Sequence, residues 1–246
     1  MHHLLRSARS LRVKTFVLAS LACACSKGEQ SAQKAMPPAA GVPSADAAKP
    51  APDVFRVTFE TSRGQFVVES HRDWSPKGVD RFYQLVKSGY YDNNRFYRVV
   101  AGFVVQWGAH GDPSVAAAWE KLPIADDSVA HSNKRGTITF ATSGPNTRTT
   151  QLFINLVDNT QLDGMGFSPF GEVVEGMAVV DSLYSGYGDG PPGGFGPDQT
   201  EISSRGNSYL EHDFPKLDFI RTARVFESVV PPGMPKTPTP GDTGKK

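Results

Sequence analysis

From residue 55 onward, short segments rich in β-branched and aromatic residues alternate with turn-forming clusters, and only two stretches between them carry a helical period. That pattern is the tightest constraint on the fold. Phe55-Arg56-Val57-Thr58-Phe59-Glu60-Thr61 alternates apolar and polar, Ser62-Arg63-Gly64 turns the chain, and Gln65-Phe66-Val67-Val68-Glu69-Ser70 runs back, which predicts a β-hairpin. Further strands are predicted at residues 136–141, 151–156, 169–174 and 217–225. The first helix is predicted to start at Ser75-Pro76, with serine as cap and proline in the first turn. Val79, Phe82, Tyr83 and Val86 then form a core-facing stripe, and Gly89 ends it. A second short helix is predicted over residues 176–184, with Met177, Val180 and Tyr184 on one side. Many short strands and two helices predict an all-β (mainly β) barrel rather than a βαβ sheet, the helices covering its open ends.

The stretch from Arg95 to Gly108 is unusual for a buried strand. Two arginines and a glutamine stand among β-branched and aromatic residues, and Gly102 interrupts the run. Strand side chains alternate, so Val104 and Gln106 share a face, and Arg98 precedes the glycine that can re-aim the chain. Two readings stay open on this stretch alone: an edge strand whose polar groups face water, or an apolar surface carrying one fixed cation and one amide.

The ends of the chain differ from this middle. Arg6, Arg9, Arg12 and Lys14 precede a short apolar run from Thr15 to Ala24, the pattern of an export signal and too short for a bilayer, which needs roughly 20 residues. Residues 1–25 are therefore expected to be a signal peptide. Both cysteines, Cys23 and Cys25, close this segment, so the rest of the chain has nothing to staple with a disulfide. Leu21-Ala22-Cys23-Ala24-Cys25-Ser26 resembles the lipobox of bacterial lipoproteins, with Cys25 favoured over Cys23 as the acylated residue; a secreted protein cut by an ordinary signal peptidase is the alternative. The expected location is the bacterial cell envelope, lipid-anchored and periplasm-facing, at the outer membrane because Ser26 rather than aspartate follows Cys25. Residues 26–52 are rich in Ala, Pro, Ser, Lys and Gln and are expected to be a disordered tether reaching roughly 30 Å. The folded domain is expected at 53–229, with a long loop insertion at 186–215 and a disordered Pro-rich tail at 230–246.

Composition and motifs exclude several activities. Twenty-six Lys and Arg against 25 Asp and Glu leave a formal charge of +1, with no basic bias toward nucleic acid. His71, His110, His131 and His212 are scattered without metal-ligand spacing, so no metal and no cofactor is expected. No G-x-S-x-G elbow occurs, and the glycine-dense run 186–194 lacks the Lys-Ser/Thr of a phosphate loop.

Four blocks together carry a resemblance: Phe96-Tyr97-Arg98-Val99-Val100-Ala101-Gly102-Phe103-Val104-Val105-Gln106; Gly144-Pro145-Asn146-Thr147 followed by Gln151-Leu152-Phe153-Ile154; Leu162-Asp163-Gly164; and Phe170-Gly171-Glu172-Val173. In order and spacing this chain resembles the cyclophilin family over essentially the whole predicted domain. The resemblance implies a closed eight-stranded antiparallel barrel capped by two helices, and peptidyl-prolyl cis-trans isomerase activity. It further implies that Arg98 is the catalytic arginine and that Gln106 orients the substrate backbone. Phe103, Val104, Phe153 and Leu162 match the pocket for the proline ring, and Ala141 lines a neighbouring subsite, while the Thr142-Ser143 backbone is expected to pair with an extended peptide.

Several positions depart from the family pattern. Ala101 stands where proline is usual, Trp107 where glycine is usual, and Gln161 where a tryptophan matters for cyclosporin. The segment Met165-Gly166-Phe167-Ser168-Pro169 is one residue longer than usual and lacks a histidine, and Phe167 is the candidate for that pocket wall. Isomerisation breaks no bond and needs no titrating base, so activity is expected to survive these changes. The expected partners are proline-containing unfolded or extended polypeptides and, through the lipid, a membrane; no nucleic acid is expected, and a monomer is. The same groove on a chaperone or scaffold module with little turnover is the alternative function.

Overall fold

The computed structural model describes residues 41–43 and 50–226. The expected signal segment with Cys23 and Cys25, most of the expected tether, and the tail at 230–246 lie outside the described residues. Two pieces of the stretch read as tether sit on the domain instead of running free. The Trp119 indole N–H donates to the Gly41 carbonyl at 2.6 Å, and the Ala51 N–H donates to Asp80 Oδ1 at 2.8 Å.

The first hairpin pairs β1 (Val54–Thr61) with β2 (Gly64–His71) in the register Val57↔Val68 and Phe59↔Phe66. Alternation puts Phe55, Val57 and Phe59 inward from one strand and Phe66 and Val68 from the other. The rings of Phe59 and Phe66 stack at 4.8 Å. Helix α1 (Pro76–Lys87) follows and packs its Val79, Phe82, Leu85 and Val86 face on the sheet. Proline fills its first turn as expected, but Ser75 does not cap it. The Ser75 hydroxyl donates to Asp127 Oδ2 at 2.7 Å, and that carboxylate receives the Gly78 and Lys77 N–H groups. A distant acid thus does the work expected of the local serine.

Beyond α1 come β3 (Arg98–Val100), β4 (Val104–Trp107), α2 (Pro113–Glu120), β5 (Thr137–Phe140), β6 (Leu152–Asn155), a 3-10 helix (Thr160–Met165) and β7 (Pro169–Glu175). The short α3 (Met177–Asp181) occupies part of the predicted 176–184 helix. The 186–215 insertion holds α4 (Gln199–Arg205) and α5 (Asn207–Asp213), and β8 (Ile220–Phe226) ends the domain. The two expected helices are therefore joined by α2, α4 and α5. Asp112 caps α2 through the Ser114 N–H, and Asp198 caps α4 through the N–H groups of Thr200 and Glu201.

All eight strands form one antiparallel sheet in the order β3-β4-β6-β5-β7-β2-β1-β8. The expected closed barrel is corrected here: β3 and β8 end the sheet, and no ladder joins them. Their approaches meet through an isolated bridge, Arg95 to Phe219, with the Phe96 N–H on the Asp218 carbonyl at 3.0 Å, the Asn93 N–H on the Ile220 carbonyl at 2.9 Å and the Ile220 N–H on the Asn94 carbonyl at 2.9 Å. At three residues, β3 is too short to extend that bridge into a ladder. On the inner face, Val99, Val105, Trp107, Ile138, Phe140, Leu152 and Ile154 join the hairpin and α1 in one core. Trp107 is fully buried there, edge-on to Phe59 and Phe96.

Candidate active site

The opposite face of the same strands builds the site. The tight turn between β3 and β4 is closed by the Phe103 N–H on the Val100 carbonyl, with Gly102 at φ +72°. Only a residue free of a Cβ takes that left-handed position without strain. The turn sets the register Arg98↔Gln106, and β4 on β6 sets Gln106↔Phe153. Cross-strand partners share a face, so Arg98, Gln106 and Phe153 stand side by side, with Val104 next along. The 3-10 helix covers this face with Leu162, and Phe103, Ala141 and Phe167 complete an apolar cluster separate from the core.

A cleft of about 380 Å³ opens over this cluster. Its lining includes Arg98, Phe103, Val104, Gln106, Ala141, Thr142, Phe153, Leu162 and Phe167, nearly every residue the family resemblance implied. Ser143 is the exception: it does not line the cleft, and its N–H is committed to Thr147 Oγ1 at 2.9 Å. The Thr142 hydroxyl is tied into the same loop through Thr147 and Gly144, so this loop is closed on itself at Ser143.

Phe167 lines the cleft, its ring edge-on to Phe153 at 5.6 Å and 72°. Gly166, at φ +85°, ends the 3-10 helix and turns Phe167 toward the cleft. Asp163 anchors this cover from behind by accepting from the Ser132 hydroxyl and from Asn133. Burial alone would raise that carboxyl, but these hydrogen bonds outweigh it and hold Asp163 below the usual carboxylate range.

The polar side of the cleft is a connected network. Arg98 Nη1 donates to Gln106 Oε1 at 3.1 Å, and the guanidinium lies 5.6 Å from the Phe103 ring centre. Gln106 Nε2 donates to Tyr97 Oη at 2.8 Å and to Gln151 Oε1 at 2.9 Å, and the Tyr97 hydroxyl donates to Gln151 Oε1 at 2.6 Å. With both amide hydrogens engaged behind it, Gln106 must point its oxygen at Arg98. Burial pushes the Tyr97 phenol well above its ordinary range, so it keeps its proton.

Sequence reasoning missed Tyr97, Gln151, Met165, Asp189 and Gln199. Tyr97 and Gln151 stand inside the blocks that carry the family resemblance, which assigned them no role. Asp189 and Gln199 come from the insertion and reach the cleft only through tertiary structure. Asp189 pairs with Arg98, Nε to Oδ1 at 2.6 Å and Nη2 to Oδ2 at 3.0 Å. Hydrogen bonding from Arg98 holds the Asp189 carboxyl below its ordinary range. Among the described residues, no group of three or more His, Cys, Asp or Glu is placed to hold a metal ion. The arrangement can hold an apolar ring against aromatic walls while offering guanidinium N–H donors at its edge.

Comparison with known proteins agrees with this geometry. Residues 56–198 match the family model described as Cyclophilin type peptidyl-prolyl cis-trans isomerase/CLD. Peptidyl-prolyl cis-trans isomerase B of Escherichia coli is 38% identical over 136 residues, covering 52% of this chain and 82% of that protein. The isomerase cyp18 of Streptomyces antibioticus is 36% identical over 138 residues, covering 52% and 81%. A crystal structure of a Cryptosporidium parvum cyclophilin type peptidyl-prolyl cis-trans isomerase superposes with a TM-score of 0.51 at 22% identity, covering 70% of this chain and 98% of the other. The same protein in the presence of the dipeptide Ala-Pro gives 0.50. A family model matched over more than half of the residues, with the pocket assembled where the family's motifs fall, makes this chain a member of the cyclophilin-type peptidyl-prolyl cis-trans isomerase family.

Proposed function

We propose that the cleft binds an X–Pro segment with the proline ring on Phe103, Val104, Phe153, Leu162 and Phe167, and that Arg98 speeds rotation about the X–Pro bond. The observation that carries this is the cross-strand pair Arg98↔Gln106 set over the apolar cluster. Rotation loses amide resonance against a barrier of roughly 18–20 kcal/mol and is slow without help. As the amide twists, its nitrogen becomes pyramidal and can accept a hydrogen bond. A guanidinium is always protonated, and here it is packed on Phe103 and tied to Gln106, so its donors need no rearrangement as the bond turns. Bringing the step to milliseconds needs about 10⁴-fold, or about 5–6 kcal/mol. A preorganised donor supplying about 3–4 kcal/mol, together with the trapped ring, is of the right size.

The test is a protease-coupled assay on an X–Pro peptide with the wild type and Arg98→Ala. The substitution removes the donor without touching the inner core, so turnover should fall about 10²–10³-fold while the domain stays folded. Undiminished turnover by Arg98→Ala would refute the role assigned to it.

The substrates proposed are exported polypeptides during folding, and the protein is proposed to act as a monomer held to the periplasmic side of the envelope by an acylated Cys25. This part rests on the leader and the Leu21-Ala22-Cys23-Ala24-Cys25-Ser26 pattern. The mass of the mature N-terminus tests it: an unmodified serine or alanine there would overturn the anchor.

A further inference from the structure

We propose that Asp189 is a positioning residue for Arg98, and that the loop of the 186–215 insertion is built to hold it there. The inference rests on the catalytic reading of Arg98. It starts from how the guanidinium's five N–H donors are used. Asp189 takes the Nε–H and one Nη2–H, and Gln106 takes one Nη1–H. One N–H on each terminal nitrogen remains for substrate. A bidentate carboxylate also stops the guanidinium plane from turning, which a single acceptor cannot do. Gln106 alone would leave Arg98 hinged on one bond; Asp189 on the adjacent edge makes the plane rigid. The donor's aim matters because small misplacements of a positioned group can cost orders of magnitude in rate.

The loop is shaped around Asp189 specifically. The Gly196 N–H donates to the Asp189 carbonyl at 2.8 Å, and the Gly190 N–H donates to its Oδ1 at 2.8 Å. A Cβ at Gly194 would collide with that same carbonyl, and one at Gly196 would lie 2.9 Å from it. At Gly194 and Gly196 the glycine therefore has a steric cause: the chain wraps the Asp189 backbone too closely there for side chains. The loop is in turn tied down on both sides. Tyr187 stands edge-on to Tyr184 at 5.1 Å and to Phe214 at 5.0 Å, and the insertion's own apolar cluster includes Tyr97, the neighbour of Arg98. The insertion is thus fixed to the strand that carries the arginine as well as to the arginine itself.

A competing sense of the same contact is that Asp189 withholds Arg98 from substrate. The two senses predict opposite signs. Turnover on an X–Pro peptide should be measured for Asp189→Ala, Asp189→Asn, Arg98→Ala and the double variant, with kcat and KM separated and melting temperatures recorded. If Asp189 positions Arg98, Asp189→Ala lowers kcat about tenfold and leaves KM unchanged, the low end for a charge-assisted pair because the Asp189 side chain is 39% exposed. Asp189→Asn keeps the side-chain volume and one carbonyl acceptor, so it loses less, and it carries the test should the alanine variant fail to fold. In the Arg98→Ala background, Asp189→Ala should cause no further loss, because there is nothing left to aim. Wild-type or faster turnover by both Asp189 variants overturns the proposal while leaving Arg98 in place. An equal loss with and without Arg98 overturns it too. Full turnover by Arg98→Ala would instead refute the catalytic reading beneath it.

Discussion

Tyr97→Phe removes one oxygen and leaves the packing volume nearly unchanged, so its effect can be worked from hydrogen bonds alone. The Tyr97 side chain is fully buried, and its hydroxyl both donates to Gln151 Oε1 and accepts from Gln106 Nε2. Without it, Gln106 still reaches Gln151 but keeps one amide hydrogen with no acceptor. A buried donor left unpaired costs about 1–3 kcal/mol, and at about 2 kcal/mol a domain of this size loses about 4–8 °C in Tm. The freed amide can also turn its NH₂ toward the Arg98 guanidinium, donor against donor, which disturbs the contact at 3.1 Å. A loss of about 1 kcal/mol there would slow isomerisation about fivefold. Thermal unfolding followed by circular dichroism, with protease-coupled turnover on the same samples, reads both effects. If Tyr97→Phe melts with the wild type and turns over at full speed, the network does not hold Gln106 in place. The phenol stays protonated throughout the accessible range, so no alkaline limb from Tyr97 should appear in the pH profile.

Two further outcomes are expected. The Asp127 side chain is buried, which alone would raise its carboxyl, but donors from Ser75, Gly78 and Arg148 hold it below its ordinary value. A carboxyl depressed in the folded state contributes stability that is complete above its unfolded pKa and lost as pH falls through the folded one. Asp127→Asn, which leaves Arg148 short of a partner in a buried pair, should lose about 3 kcal/mol at neutral pH. Its gap in Tm from the wild type should narrow below about pH 4, and parallel curves would rule this reasoning out. Phe167→Ala removes the wall facing Phe153 from a half-buried position, so KM for an X–Pro peptide should rise about three- to tenfold with kcat and Tm little changed. An unaltered KM would mean the proline ring is held elsewhere.

Period-2 alternation was enough to place the inward side chains of β1 and β2 and the shared face of Val104 and Gln106, because side-chain direction in a strand is a local property. Gly102 was readable as the point where the chain re-aims, and the hairpin it makes brings Arg98 level with Gln106. Strand order was not readable: β6 lies between β4 and β5, and the pairing of β7 with both β5 and β2 depends on contacts far apart in sequence. The closed barrel was an implication of family resemblance, and the short β3 leaves the ladder open against β8. Two missed helices did carry signals, Asp112-Pro113 before α2 and Asp198 with Glu201 three residues on before α4. Both were hidden by the small and polar residues that follow, which give no strong apolar stripe.

The apolar wall of the site was legible and its electrostatics were not, for one physical reason. Val104 and Phe153 lie on strands where they alternate with core residues, and Phe103 and Leu162, in a turn and on the 3-10 helix, became legible through the family resemblance. The carboxylate that pairs with Arg98, by contrast, is Asp189, 91 residues further along, in a glycine-dense loop whose composition names no partner for it. Glycine density by itself marks only a loop, whereas Gly194 and Gly196 leave room for a carbonyl they must not touch. A loop can therefore be glycine-rich because it is tightly packed rather than loose. The carboxylate such a loop holds reaches an arginine at the cleft while standing outside the apolar cluster of Phe103, Val104, Phe153, Leu162 and Phe167, so the aim of the donor can change while that cluster stays the same.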